Sequence, residues 1–261
     1  IHSLVHMNLF AKRSSAIFGC FSAMVAVFCF STNDVAIKFV SNDYALHLVV
    51  LIRSLVGLIV LLLFIVPLSG GVNMLYTNRL GLHILRGLCV VFANITFFLG
   101  LAALPLAEGV AIFFISPLLI TIFSVIFLKE TVGPRRWAAV TIGLIGVLVI
   151  LRPGSATFQI ASLLPLSAAF GYATLHMLTR YIGKTESAAS LSFYIQLTFL
   201  VVCLMSGLII GDGKFSGWND PSLEFLFRAW SWPSNDHYLI LILIGTTSAF
   251  GGFFISQAYR M

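Results

Sequence analysis

Charge is what this sequence has least of. Of its 261 residues only 9% are Asp, Glu, Lys or Arg, against 59% hydrophobic. A soluble domain carries roughly 25% charged residues. A chain this poor in charge cannot coat a water-facing surface, so most of its exterior must face lipid. The alternating polar and apolar pattern of a membrane β-barrel is missing, while long apolar runs recur. Cysteine is scarce as well. Cys20, Cys29, Cys89 and Cys203 lie inside apolar runs without CxxC spacing, and read as small core residues rather than disulfides or metal ligands. There is no Walker A loop, so ATP does not drive the chain directly. HExxH, GxSxG and clustered His and Asp at membrane depth are absent too, which weighs against an integral-membrane enzyme. No metal or other cofactor is expected.

What is present is a series of apolar segments of about 20 residues, the signature of membrane-spanning helices. Eight candidates run near 14–40, 46–68, 80–103, 106–128, 135–151, 157–180, 189–210 and 237–259. The first is too long and uninterrupted for a signal peptide, and is expected to be retained. The connection at 211–236 carries turn residues and aromatics, and is expected to hold a short interfacial helix. The net charge of +6 falls mostly in short loops, which makes it a topology signal rather than a nucleic-acid surface. With the N-terminus inside, Lys12, Arg13, Arg79, Lys129, Arg135, Arg136, Arg180, Lys184 and Arg260 collect on the cytoplasmic side. Lys38, Arg152, Lys214 and Arg228 fall opposite. That bias predicts a multi-pass protein of the inner (plasma) membrane with a cytoplasmic N-terminus.

The stretch from Phe97 to Trp137 joins two apolar runs through a Pro-Leu-Ala-Glu-Gly turn. A weaker copy of its opening, with Phe253-Phe254 in place of Phe97-Phe98, ends at Met261. Pro153 and Gly154 mark the midpoint between two similar parts, 14–152 with five spans and 157–261 with three. Five spans separate equivalent positions, so the halves insert in opposite senses, as in many secondary transporters. The expectation is an all-α bundle with a 5+5 inverted repeat, of which eight of ten helices are present and two more would follow Met261.

Several motifs, in order, are similar to the drug/metabolite transporter superfamily, in particular its EamA-type ten-helix permeases. They are Arg86-Gly87 early in the third span, the turn from Ala102 to Glu108, Ser116-Pro117 within the fourth span, and Leu128-Lys129-Glu130 at its end. Gly133-Pro134-Arg135-Arg136-Trp137, Gly143, Gly146 and Arg152-Pro153-Gly154 complete the set. The resemblance covers the first half densely and the second more loosely. It implies alternating-access transport of small organic metabolites such as amino acids, amines or vitamin-like compounds. An integral-membrane enzyme, or a partial chain without activity, is the alternative. The implied partners are a small organic solute and the lipid bilayer, with no nucleic acid.

Polar residues at membrane depth are costly and mark sites. On that ground Asn33, Asp34, Arg53, Asn94, Tyr172, His176, Tyr194, Gln196 and Gln257 are expected to line a substrate cavity. Asp34 and Arg53 could equally form a fixed ion pair, and Lys38, one turn from Asp34, could neutralise it instead. Glu108, Arg86 and Pro117 are candidates for coupling or gating. Against that, Glu108 in a first helical turn suits the helix dipole, Arg86 suits snorkelling toward the headgroups, and Glu130 suits pairing with its local cations. Small-residue stripes at Ala139/Gly143, Ala169/Ala173 and Ser248/Gly252 suit close packing within the chain, with a homodimer as the second use.

Overall fold

A computed structural model describes residues 2–151 and 159–260 as backbone, with side chains described for residues 17–150 and 159–259. The proposed midpoint Pro153-Gly154, Arg152 and Met261 lie outside the described residues. So do the side chains of Lys12, Arg13 and Arg260.

The chain is built of helices: α1 His2–Val40, α2 Leu46–Leu68, α3 Leu80–Ala103, α4 Leu106–Leu128, α5 Pro134–Leu151, α6 Leu163–Ile182, α7 Ala188–Ile210, α8 Pro221–Phe227 and α9 Tyr238–Arg260. Among the described residues seven are long and apolar enough to cross a membrane; α5, with two arginines in its first turn, is not counted with them. In lipid a helix satisfies its own backbone polar groups, which is why apolar runs of this length take that form. The expected short helix in the 211–236 connection is α8, capped by Asp220, whose carboxylate accepts the N–H groups of Ser222 and Leu223 at 2.9 and 3.0 Å.

Two prolines account for the irregularities. Pro67 follows a single wide π turn over Leu61–Ile65 in α2, since its ring and missing N–H disturb the preceding turn. Pro117 sits in the first turn after a break at 114–115 that divides α4 in two. Lys129, at φ 54°, closes α4 in the left-handed conformation, and the Glu130 N–H returns to the Ser124 carbonyl at 3.2 Å.

The bundle is held by α1 against α9, α3 against α6, α2 against α7 and α9, and α7 against α3 and α9. The fourth and fifth helices attach peripherally, α4 on α6 and α5 on α4. Small residues set the close approaches. A Cβ on Gly87 would run into Thr198, and one on Gly245 into Val56. Ala169 and Ala173 are fully buried inside the bundle, whereas the Ala139–Gly143 stripe of α5 faces outward.

At the end of the bundle that carries the 211–237 connection, two cations satisfy helix carboxyl termini. Lys38 Nζ donates to the carbonyls of Leu101, Ala102 and Leu104 at the end of α3. Arg228 Nη1 donates to the Ser41 and Tyr44 carbonyls just past α1, at 3.0 and 3.4 Å. Both positions pair a positive charge with the negative end of a helix. Trp230 then lies over Gly207 and stacks on His47 with ring centroids 5.7 Å apart.

A side chain at Gly207 has nowhere to go. Gly207→Ala is expected to lower stability by about 1–3 kcal/mol through overpacking, read as a lower melting temperature in detergent with altered Trp fluorescence. Adding Trp230→Ala should recover part of that loss, because it removes the colliding ring.

Candidate functional site

Polar side chains held inside lipid-facing helices have few places to be. Here several of them converge on a cavity of about 710 Å³ between α1, α2, α3, α4, α6, α7 and α9. Its volume is within the range of small-molecule sites.

The charged part of the wall comes from α1 and α2. Arg53, 4% exposed, donates from Nη1 to Asn94 Oδ1 on α3 at 2.8 Å, and its guanidinium lies 4.6 Å from the Phe199 ring centroid and 5.9 Å from that of Phe98. Cation–π contacts of this kind gain strength when desolvated. Asp34 lines the same cavity and is only partly buried. No ion pair within 4 Å joins Asp34 to Arg53 among the described residues, so the fixed-pair expectation is not met. Lys38 does not neutralise Asp34 either, because its ammonium is held at the end of α3. Asn33 instead ties helices together, donating from Nδ2 to the Ile244 carbonyl at 2.7 Å and to Thr247 Oγ1 at 3.3 Å on α9.

The aromatic part of the wall comes from α3, α4, α6 and α9. Phe97 meets Phe113 at 4.8 Å between centroids, Phe113 meets Tyr172 at 5.1 Å, and Tyr172 meets His176 edge-on at 4.1 Å. Tyr259 stacks on the other side of His176 at 4.1 Å and 25°. The break before Pro117 allows Phe113, Phe114, Ser116 and Pro117 all to face the cavity. From α7, Ser192, Ile195, Gln196 and Phe199 follow the 3.6-residue period of one helix face.

Some of these buried polar atoms have no partner among the described residues: Arg53 Nε, both His176 ring nitrogens, Ser192 Oγ and Gln196 Oε1. Gln196 Nε2 does donate to Ser248 Oγ at 3.3 Å. Leaving such a group unpaired costs about 1–3 kcal/mol. Their gathering on one wall is the property of a site that takes a polar guest.

Thus Asn33, Asp34, Arg53, Asn94, Tyr172, His176, Gln196 and Pro117 lie on this wall, whereas Tyr194, Gln257, Glu108 and Arg86 do not. Tyr194 is two residues from both Ser192 and Gln196, a rotation of about 200° on a helix, and its hydroxyl donates to the Leu75 carbonyl at 3.1 Å. Gln257 misses the face made by Ser248, Gly252, Ile255 and Tyr259 for the same reason. Glu108 stays in the first turn of α4, away from the wall. Glu130 pairs not with its sequence neighbours but with Arg180 of α6, at 2.7 Å.

Arg86 departs most from expectation. It does not snorkel: it has no exposed surface, and its guanidinium donates to Thr179 Oγ1 on α6 at 3.2 Å and to the Leu191 carbonyl on α7. Nearby, Glu186 accepts from Thr77 Oγ1 at 2.8 Å and lies 3.4 Å from His83 Nε2, while the His83 ring packs on Tyr194 at 4.4 Å. This buried knot joins α3, α6 and α7. Sequence reasoning missed Glu186 and His83 as well as Tyr259 and Ser192. For Tyr259 a signal did exist, since it follows Ile255 at helical spacing.

Comparison with known proteins gives a consistent result. The model of the EamA-like transporter family matches residues 17–152. An S-adenosylmethionine uptake transporter of Rickettsia prowazekii is 28% identical over 231 residues, 88% of this chain and 71% of that protein. A riboflavin transporter of Vibrio cholerae is 29% identical over 82% of this chain and 65% of its own length. A pseudopaline exporter of Pseudomonas aeruginosa is 24% identical over 92% and 78%. A crystal structure superposes with a TM-score of 0.66 at 17% identity, covering 95% of this chain and 79% of that one, which supports the fold alone.

Removing the Arg86 guanidinium takes its donors from Thr179 Oγ1 and the Leu191 carbonyl, and with them the bonds that tie α3 to α6 and α7. Arg86→Met is expected to cost about 2–4 kcal/mol, as breaking a buried charged network does, measured by denaturant unfolding in detergent micelles. An arginine that merely reached the headgroups would leave stability unchanged.

Proposed function

The chain belongs to the EamA-like transporter family, and from that premise we propose that it carries a small organic metabolite across the inner membrane by alternating access. The observation that carries this reading is the central cavity, whose wall is drawn from both halves of the chain. Family and relatives are named for transport rather than catalysis.

We read 14–152 and 157–261 as two inverted repeats, with α6, α7 and α9 of the second corresponding to α1, α2 and α3 of the first. The packing supports this. The α1–α9 contact has a counterpart in α6–α3, the α2–α9 contact has one in α7–α3, and α2–α7 is its own counterpart. Matched depths support it too. Asp34 stands six residues before Val40 at the end of α1, and His176 six before Ile182 at the end of α6. Arg53 and Gln196 lie at nearly equal distances from the starts of α2 and α7. Rocking of one repeat against the other then changes the cavity's opening around a nearly fixed site. The excess of Lys and Arg at the Arg79, Lys129 and Arg180 end supports a cytoplasmic N-terminus.

Uptake into proteoliposomes of the protein expressed from its full reading frame tests this proposal. With a panel of amino acids, nucleosides and vitamins, at least one labelled solute should enter saturably, and faster when the same unlabelled solute is inside. A channel or an enzyme would show no such counterflow. In the same assay Pro117→Ala should slow uptake about tenfold, as expected if the break in α4 takes part in a rate-limiting conformational step; unchanged uptake would remove the hinge role.

A further inference from the structure

We propose that the cavity selects an amino-carboxylate that also carries a flat heteroaromatic ring; this rests on the transport reading above. The first support is charge. One carboxylate and one guanidinium, Asp34 and Arg53, share a wall without an ion pair within 4 Å between them; Lys38 is committed to the end of α3, and Arg86 to Thr179 and the Leu191 carbonyl. Each charge in such a site is only partly compensated, and an uncompensated buried charge is expensive. A guest with one charge of each sign answers both at once and leaves the net charge of the site unchanged. An uncharged guest answers neither, and a simple anion or cation only one.

The second support is the state of the guanidinium. Arg53 is oriented by Asn94 at 2.8 Å and by the Phe199 face, yet its Nε has no partner among the described residues. A carboxylate is the group whose two oxygens match the guanidinium fork. The ammonium of the same guest then falls to Asp34.

The third support is the run of rings from Phe97 through Phe113, Tyr172 and His176 to Tyr259. Successive centroids along it are 4.1–5.1 Å apart. Aromatic surfaces of this kind favour offset or edge contact with another ring. Both nitrogens of His176, which is 2% exposed, are without partners, as is Gln196 Oε1. These atoms suit a ring that bears nitrogen or amino groups better than a hydrocarbon one. At about 710 Å³ the cavity also falls in the range of drug-sized ligands rather than the smallest metabolites.

Binding to the purified full-length protein, and flux in proteoliposomes, should be compared across matched probes. S-adenosylhomocysteine and L-tryptophan carry both charges and a ring. Methylthioadenosine keeps the adenine ring without the amino-acid charges, methionine keeps the charges without a large ring, tryptamine lacks the carboxylate, and indole-3-propionate lacks the ammonium. Riboflavin presents a flat ring system with neither charge. At least one complete probe should bind, and each matched truncation should weaken it about tenfold or more, equivalent to about 1.4 kcal/mol. Arg53→Gln should erase the preference for tryptophan over tryptamine, with Arg53→Lys restoring part of it. Asp34→Asn should erase the preference over indole-3-propionate; because Asp34 is only partly buried, this variant keeps the test decisive if Arg53→Gln fails to fold. Equal binding of complete and truncated probes, or no binding of either complete probe, overturns the proposal. Flux of riboflavin without the complete probes also overturns it while leaving the transport reading standing. Binding of a complete probe without any flux supports the site and counts against transport.

Discussion

Water is missing from the middle of a bilayer, and every polar atom placed there must find its partner within the protein. This constraint orders the whole chain. Where a polar side chain can be satisfied by another helix it becomes a joint, as with Asn33 on α9, Arg86 on α6 and α7, and Lys38 at the end of α3. Others left without one, from Arg53, His176, Ser192 and Gln196, gather on the wall of the central cavity, where a guest can complete them. Joints and site are therefore two outcomes of one rule. The unpaired atoms of Arg53, His176, Ser192 and Gln196 are where the two can be told apart.

The two ends of the bundle use the rule differently. On the side of the 211–237 connection, cations cap the carboxyl ends of α1 and α3, and Trp230 closes over a glycine. On the opposite side a His83–Glu186 contact and the Arg86 knot lock α3, α6 and α7, and Glu130 reaches Arg180 to hold α4 on α6. Each end thus has contacts that a moving half would have to break. Surface pairs such as Glu130–Arg180, both about one third exposed, are worth little individually. The buried knot around Arg86 is the stronger lock.

Helix positions were largely legible in the sequence, because an apolar run's length dictates where a span begins and ends; apart from the starts of α1, at His2 against 14, and of α6, at Leu163 against 157, the expected bounds fall within about two residues of the observed ones. Depth was legible for the same reason, which is how Asp34, Arg53 and Asn94 stood out. Direction around the helix axis was not. Arg86 at its depth could reach either headgroups or neighbouring helices, and only the placement of Thr179 and Leu191 decides it. Tyr194 and Gln196 differ by two residues and by opposite sides of α7. Glu186 sits in a polar loop in the sequence, so nothing there announced its contact with His83, more than a hundred residues away. Partners distant in sequence, as for Lys38 and the α3 carbonyls, need the tertiary structure.

The division of labour across the cavity bears on how movement and binding are coupled. Charge comes from α1 and α2, whereas His176, Tyr259 and the unpaired Gln196 come from α6, α9 and α7. Depth-matched positions in the two halves therefore hold different chemistry, Asp34 opposite His176 and Arg53 opposite Gln196. If the halves rock against each other, a guest bridging them meets a changed spacing between its charged end and its ring end in each conformation. A ligand shifts a conformational equilibrium only by its differential affinity for the two states. A guest held at both ends would supply such a difference if its two anchors belonged to halves that move separately. One held only by the charges of α1 and α2 would move with a single half, whereas the rings are drawn from both. Selectivity and conformational coupling would then rest on the same asymmetry.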